Sequence, residues 1–209
     1  MNNTSQNPIE TLIEQRVSSN VYDTTRSLSD AQISTLVRLA TRAPSAFNFQ
    51  NWRIIAVRTA EAKQRLMSVA YGQQKVVDAA VTFIFCGTLA PHVGLTRALQ
   101  PSLDAGILQS SLVDAWVTMA KGMYDGNSQF QRDEAIRSAS LAAMTLMLAA
   151  AGQGLATGPM IGFDPQQLAR EFQLGALEVP VLLVTAGYPA PGNWPQKPRK
   201  PLHEVLEMA

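Results

Sequence analysis

The sequence predicts an α+β fold in a single domain, with helices outnumbering strands. Three observations carry that expectation. β-rich apolar runs occur at 52–58, 80–87 and 179–187. Longer segments with helical periodicity and helix-start signals surround them. The 209 residues hold no internal repeat and no linker long enough to separate two domains. A compact unit of that size buries roughly 70% of its unfolded surface.

The elements follow in order. Asn7-Pro8-Ile9-Glu10 starts a helix, with an Asn cap, proline in the first turn and Glu at the third position. That helix is predicted to end near Arg16. Ser29-Asp30-Ala31-Gln32 is a capping box opening a second helix, with Ile33, Leu36, Val37 and Ala40 on one face. Pro44 stops it, because proline pushes the residue before it out of the α region. A polar loop follows, with Ser45, Asn48, Gln50 and Asn51 set around Phe47 and Phe49, and it feeds the strand at 52–58. Residues 60–70 are predicted helical with Leu66 and Val69 inward. The run at 80–87 is nearly all apolar, as expected of a central strand covered on both faces.

Residues 101–125 read as a helix starting at Pro101, with Ile107, Leu108, Leu112 and Trp116 as its buried stripe. Another helix runs from Gln131 to Ala151, and its second half is apolar all round. It must be enclosed on every side, as the rod of a domain or the seam of a dimer. Gly152 and Gly154 end it. Gly158 to Asp164 reads as a turn between helical segments, Asp164-Pro165-Gln166-Gln167 caps a short helix, and 179–187 is the last strand. The arm from 189 to 209 carries five prolines by residue 201, so it is expected to be extended, crossing the surface or reaching a partner.

Composition excludes several classes. Hydrophobic content is 46%, charged content 16% and net charge +1, so there is no general field to hold nucleic acid or an anionic membrane. That little charge for so much apolar residue points to surface covered by another subunit. The single cysteine, Cys86, lies in an apolar run and reads as a core residue; it allows neither an internal disulfide nor a metal–thiolate cluster. The first fifteen residues do not form a secretory signal, and the apolar window 139–151 is too short to cross a bilayer. A soluble cytoplasmic protein is expected, with neither nucleic acid nor membrane as partner.

Several tempting motifs have plainer explanations. Gly152-Gln153-Gly154-Leu155-Ala156-Thr157-Gly158 follows a helix, whereas a dinucleotide fingerprint must follow a strand, so it reads as helix termination. His92 and His203 stand alone and read as surface residues. Asp133-Glu134 is placed at a helix start, complementing the macrodipole. Three signals remain beside the loop at 43–51: Arg16-Val17-Ser18-Ser19-Asn20, the turn at 158–164, and Lys197-Pro198-Arg199-Lys200-Pro201. The loop offers amides beside rings, which a flat heteroaromatic ligand needs. Glycines in the turn would let backbone approach such a ligand closely.

Taken together the chain resembles the FMN-dependent nitroreductase family, and within it the bacterial NAD(P)H nitroreductases. The likeness runs from Arg16 to Pro201 and rests on Ala-Pro-Ser-Ala-Phe-Asn at 43–48, Arg-Asp-Glu-Ala-Ile-Arg at 132–137 and Pro-Met-Ile-Gly-Phe-Asp at 159–164. The resemblance implies a central, mostly antiparallel sheet wrapped by helices, in an intertwined homodimer with FMN at the subunit interface. It assigns Arg16 and Ser18 to the phosphate and ribityl region, with Lys197 and Arg199 completing the phosphate site. Pro44, Ser45, Ala46 and Asn48 would reach the flavin from the partner subunit. Pro159, Met160, Ile161 and Gly162 would lie against the ring system, and Lys75 near its pyrimidine edge. Phe47, with aromatic or Met residues from 116–130, would form the substrate wall.

The family pattern is broken in places. Asn20 stands where a basic residue is frequent, Val17 replaces Arg or His, and Ile161 replaces an acid found in some members. Gly72 stands where asparagine often binds the ring edge, with Gln73 as the expected substitute. Asn20 would leave Lys75 as the one cation at the ring, making the flavin harder to reduce than with two. The implied activity is NAD(P)H-dependent, ping-pong reduction of nitroaromatics, quinones or similar small acceptors, with the chemistry carried by FMN and no metal or catalytic side chain. Two alternatives stay open: reduction of an aldehyde, enone or halogenated substrate on the same fold, and FMN binding or sensing without turnover.

Overall fold

The computed structural model describes residues 7–209, so the first six residues of the stretch read as lacking a secretory signal lie outside it. In chain order the elements are α1 (Pro8–Gln15), α2 (Asp30–Ala40), β1 (Trp52–Val57), α3 (Ala60–Val69), α4 (Lys75–Asp78), β2 (Val81–Thr88), α5 (Leu95–Asp104), α6 (Ser110–Tyr124), α7 (Ser128–Gly152), β3 (Ala156–Met160), α8 (Pro165–Glu171) and β4 (Glu178–Gly187). The strands form one antiparallel sheet in the order β1-β2-β4-β3.

Helices cover both faces of that sheet. From β2, Phe83 and Phe85 enter a core with Leu36 of α2 and Leu146 of α7. Ile84 and Cys86 point the other way, to Leu66 of α3 and Leu168 of α8. A strand buried on two sides has no polar alternation to show, which is why 80–87 reads as continuous apolar sequence. Helix α7 lies so close to β2 that a Cβ on Gly87 would come within 2.2 Å of the Ala135 carbonyl oxygen. A third, smaller core gathers Phe49, Leu99, Val113 and Tyr124 from the loop before β1 and from α5 and α6.

The predicted starts and stops hold where a local signal sets them. Asn7 and Ser29 cap α1 and α2, and the Ser29–Gln32 capping box is complete. Asp164 caps α8 through the N–H groups of Gln166 and Gln167. Helix α7 ends at Gly152, and Gly154 has φ +70°.

Four expectations need correction. Residues 101–125 are not one helix: Pro101 lies inside α5, and the chain breaks at Gly106, φ +68°, before α6 starts. Ile107 and Leu112 are therefore exposed, while Leu108 and Trp116 pack inward. Residues 156–160 are an edge strand rather than part of a turn; Pro159 is tolerated there because an edge strand need not donate on both sides. Helix α7 starts earlier than expected and is not the enclosed rod of a single domain, since Ile136, Leu141 and Met144 are exposed in the single chain; the dimer seam stays as the other alternative. Its 25 residues are long and apolar enough to cross a membrane by length and composition, although its inward face packs on the sheet.

Finally, His92 is not a surface group, and Glu134 is not at the start of its helix. The His92 ring stacks on Tyr124, and only 8% of its side chain is exposed. Glu134 sits in the second turn of α7, 2% exposed, bonded to Ser138 and paired with Arg137. His203 is exposed as expected.

Candidate functional site

The predicted site residues gather at two separate corners of the molecule. The first begins where α1 ends. Arg16 takes extended backbone angles, and its N–H still bonds to the Leu12 carbonyl. The chain then runs beside β3: Ser18 bridges Thr157, and the Ser19 N–H donates to the Thr157 carbonyl at 2.9 Å. Gly158 is required for that approach, because a Cβ there would stand 2.3 Å from the Ser19 carbonyl oxygen. Tyr22 continues the packing, with its hydroxyl 2.7 Å from Thr185 Oγ1, and burial raises its pKa to about 12.

Beside Arg16 lies a cavity of about 290 Å³ lined by Leu12, Thr157, Pro189, Ala190 and Asn193 among others. The proline-rich arm closes one side of it. Gln196 Nε2 donates to the Arg16 carbonyl, and Gln196 Oε1 accepts from Arg199 Nη2, both at 3.1 Å. One glutamine thus joins the two arginines that stand at opposite ends of the chain. Lys197 lies with its ammonium 4.9 Å from the centre of the exposed Trp194 ring. Arg16 Nη1 is buried with no hydrogen-bond partner in the protein. A buried guanidinium N–H without a partner is costly, and an anion is the group that satisfies it.

Further along the same corner, Lys75 Nζ donates to Asn20 Oδ1 at 3.1 Å. Partial burial lowers the Lys75 pKa from the ordinary lysine range. Gln73 Nε2 donates to the Gly162 carbonyl at 2.7 Å and to the Ala70 carbonyl at 3.1 Å. These bonds tie 16–20, 73–75 and 158–162 into one surface. Ile161 and Tyr71 stand out from it, 81% and 71% exposed, and Tyr71 has φ +55°. Met160 does not join them: its side chain is buried with Leu183 and Phe163, so only its main chain faces this corner.

The second corner is the loop before β1. Residues 46–48 form a 3-10 turn in which Phe47 and Asn48 have φ +50° and +56°, and Gln50 follows at +49°. Ser45 Oγ accepts the Gln50 N–H at 2.9 Å, and the Ser45 carbonyl accepts the Asn48 N–H at 3.0 Å. Pro44 and Asn48 are exposed, while Ala46 packs on the third core. Phe47 meets the Trp116 ring edge-on at 6.0 Å, which sets it beside one aromatic residue of the 116–130 stretch.

The corners do not meet within one chain. Trp52, at the end of the loop, pairs with Gly87 and through it with Val179, whereas Thr157 pairs with Ala186. Seven residues along β4 and three strand spacings across put the corners roughly 25–30 Å apart.

Sequence reasoning passed over Asn193 and Gln196, whose side chains hold the arm in place. The one signal available was Pro-Gly-Asn at 191–193, a turn tripeptide inside an otherwise stiff arm. Tyr71 carried no signal, since a tyrosine at positive φ is a matter of tertiary context.

Known proteins resemble this chain in sequence and in fold. The model of the nitroreductase family matches residues 13–188. "Putative NAD(P)H nitroreductase YodC" of Bacillus subtilis is 32% identical over 84% of this chain and 87% of its own. Among solved structures, the ydfN nitroreductase of Bacillus subtilis, itself described as putative, superposes with a TM-score of 0.90 at 31% identity, covering 96% of this chain and 98% of that one. A structure from Exiguobacterium sibiricum solved in complex with FMN also gives 0.90, at 25% identity over 97% and 98% of the two chains.

Proposed function

Because this chain belongs to the nitroreductase family, we propose that it is an FMN-dependent NAD(P)H oxidoreductase, working as a homodimer on flat nitroaromatic or quinone-like acceptors. The single observation that carries the cofactor assignment is the buried, unpartnered Arg16 Nη1 beside a cavity, with Arg199 joined to Arg16 through Gln196 and Lys197 next to that glutamine on the arm. A phosphomonoester carries about −1.5 to −2 charges near neutral pH and suits that cluster. Ser18, exposed beside it, adds a hydroxyl donor.

Asn20, Gln73 and Lys75 would serve the polar edge of the ring system. Pro159 and the main chain of Met160, Ile161 and Gly162 would lie under its face. Pro44, Ser45, Ala46 and Asn48 would come from the other copy, a reading that the separation of the two corners supports. The exposed Ile136, Leu141 and Met144 of α7 support a second copy covering that helix. When bound, FMN supplies hydride acceptance from NAD(P)H and delivery of electrons to the acceptor. The protein's own residues bind the phosphate, orient the ring and exclude water from one face. Phe47 and Trp116 offer a wall that selects flatness, because stacking and apolar contacts discriminate weakly between similar rings.

The test is direct. Purified protein should release FMN on denaturation, behave as twice the 22.6 kDa chain in solution, and oxidise NADH or NADPH in the presence of a quinone with parallel-line kinetics. Protein that takes up no FMN would overturn the reading. Turnover restricted to aldehydes, enones or halogenated acceptors would move the substrate assignment and leave the cofactor in place.

A further inference from the structure

Asn193 is the most heavily bonded side chain of the arm. Its Oδ1 accepts the N–H groups of Asn20 at 2.7 Å and Val21 at 3.0 Å. Its Nδ2 donates to the carbonyls of Val21 at 2.8 Å and Ala190 at 3.1 Å. Those four bonds use both donors and both oxygen lone pairs of the amide. Gly192, at φ +103°, makes the bend that turns Asn193 inward, and a side chain there would be strained. Upstream the arm is already laid along the same segment, through the Tyr22–Pro189 bridge and the Asp23 N–H bonded to the Tyr188 carbonyl.

The segment that Asn193 grips is the one that carries Asn20, and the Asn20 amide oxygen is the group that receives Lys75 Nζ. On the other side, three residues on from Asn193, Gln196 joins Arg16 and Arg199. One amide therefore stands between the ammonium at one end of the corner and the guanidinium pair at the other. We infer that Asn193 is a positioning residue of the flavin site, fixing the Asn20 main chain so that Lys75 is held at the ring edge and the arm stays docked at the phosphate end. This rests on the FMN reading above. A cation held near the ring stabilises the negative charge of reduced flavin and raises its potential. Releasing Lys75 should lower it.

The experiment measures FMN affinity by fluorescence quenching and the midpoint potential of the bound flavin, in wild type, Asn193→Ala, Lys75→Gln and the double variant. Asn193→Ala should bind FMN about five-fold more weakly and shift the potential negative, in the direction of Lys75→Gln. The double variant should go no further than Lys75→Gln, since both changes act on one ammonium. Gly192→Ala, which keeps the amide but strains its turn, should give a smaller shift of the same sign. A merely structural contact would lower affinity or melting temperature and leave the potential alone. An Asn193→Ala potential equal to wild type, with Lys75→Gln shifted, would overturn this inference and spare the FMN reading. Wild-type protein that binds no FMN would overturn both.

Discussion

The corner around Arg16 and the corner around Phe47 are held by different forces. At the first, segments far apart in sequence are joined by hydrogen bonds: 19 to 157, 20 to 75, 73 to 162, and the arm to 16 and 20–21 through Gln196 and Asn193. At the second, a short loop closes on itself through Ser45 and then packs aromatic rings against α6. Three of the six non-glycine residues at positive φ among the described residues fall in that loop, and each costs of order 1 kcal/mol. The first corner carries charge with donors left over. The second carries shape, with backbone strain tolerated to aim it. Fixed charge suits the recognition of a phosphate, and a strained aromatic loop suits a surface that selects flat molecules.

Four measurements would break or sharpen that contrast. The largest effect is expected from Gly158→Ala. A Cβ set 2.3 Å from the Ser19 carbonyl oxygen and 2.7 Å from Thr185 Oγ1 has nowhere to go, so a loss of about 3 kcal/mol should appear in denaturant unfolding. Next comes Arg16→Ala, expected to weaken FMN binding by roughly 30- to 100-fold. The apoprotein should melt no lower, because the buried donor has no protein partner to lose. A clear drop in apoprotein stability would mean that Arg16 is structural.

Alkaline unfolding gives the third. The Tyr22 pKa is raised from 10.0 to about 12 by burial, so the folded state holds a proton that the unfolded state releases. Stability is complete below pH 10 and is lost as pH rises from 10 through 12, by about 2–3 kcal/mol at most for that group. Tyr22→Phe should flatten this limb in pH-dependent melts; an unchanged slope would remove Tyr22 as its source. The smallest effect belongs to the aromatic corner. Phe47→Ala should change KM for flat acceptors about three- to ten-fold while FMN affinity stays within about two-fold. The reverse pattern would show that the loop holds cofactor more than acceptor.

The sequence by itself determined what depends on near neighbours or on burial pattern. Capping residues at 7, 29 and 164 set helix starts, Gly152 and Gly154 set a stop, and the apolar run at 80–87 declared a strand covered on both faces. Cationic and amide residues of the site were legible as a set through the family likeness, because each taken singly suits an ordinary loop or tail. Tertiary structure alone decided the rest. Ala156–Met160 is a strand because β4 offers it an edge, not because Thr-Gly-Pro-Met favours one. Met160 faces the core, Tyr71 stands exposed at positive φ, and Asn193 grips residues 20 and 21, all through partners distant in the chain. A cap is a bond between neighbours and leaves its mark in the letters, whereas a long-range hydrogen bond forms only once the sheet has brought two remote segments side by side.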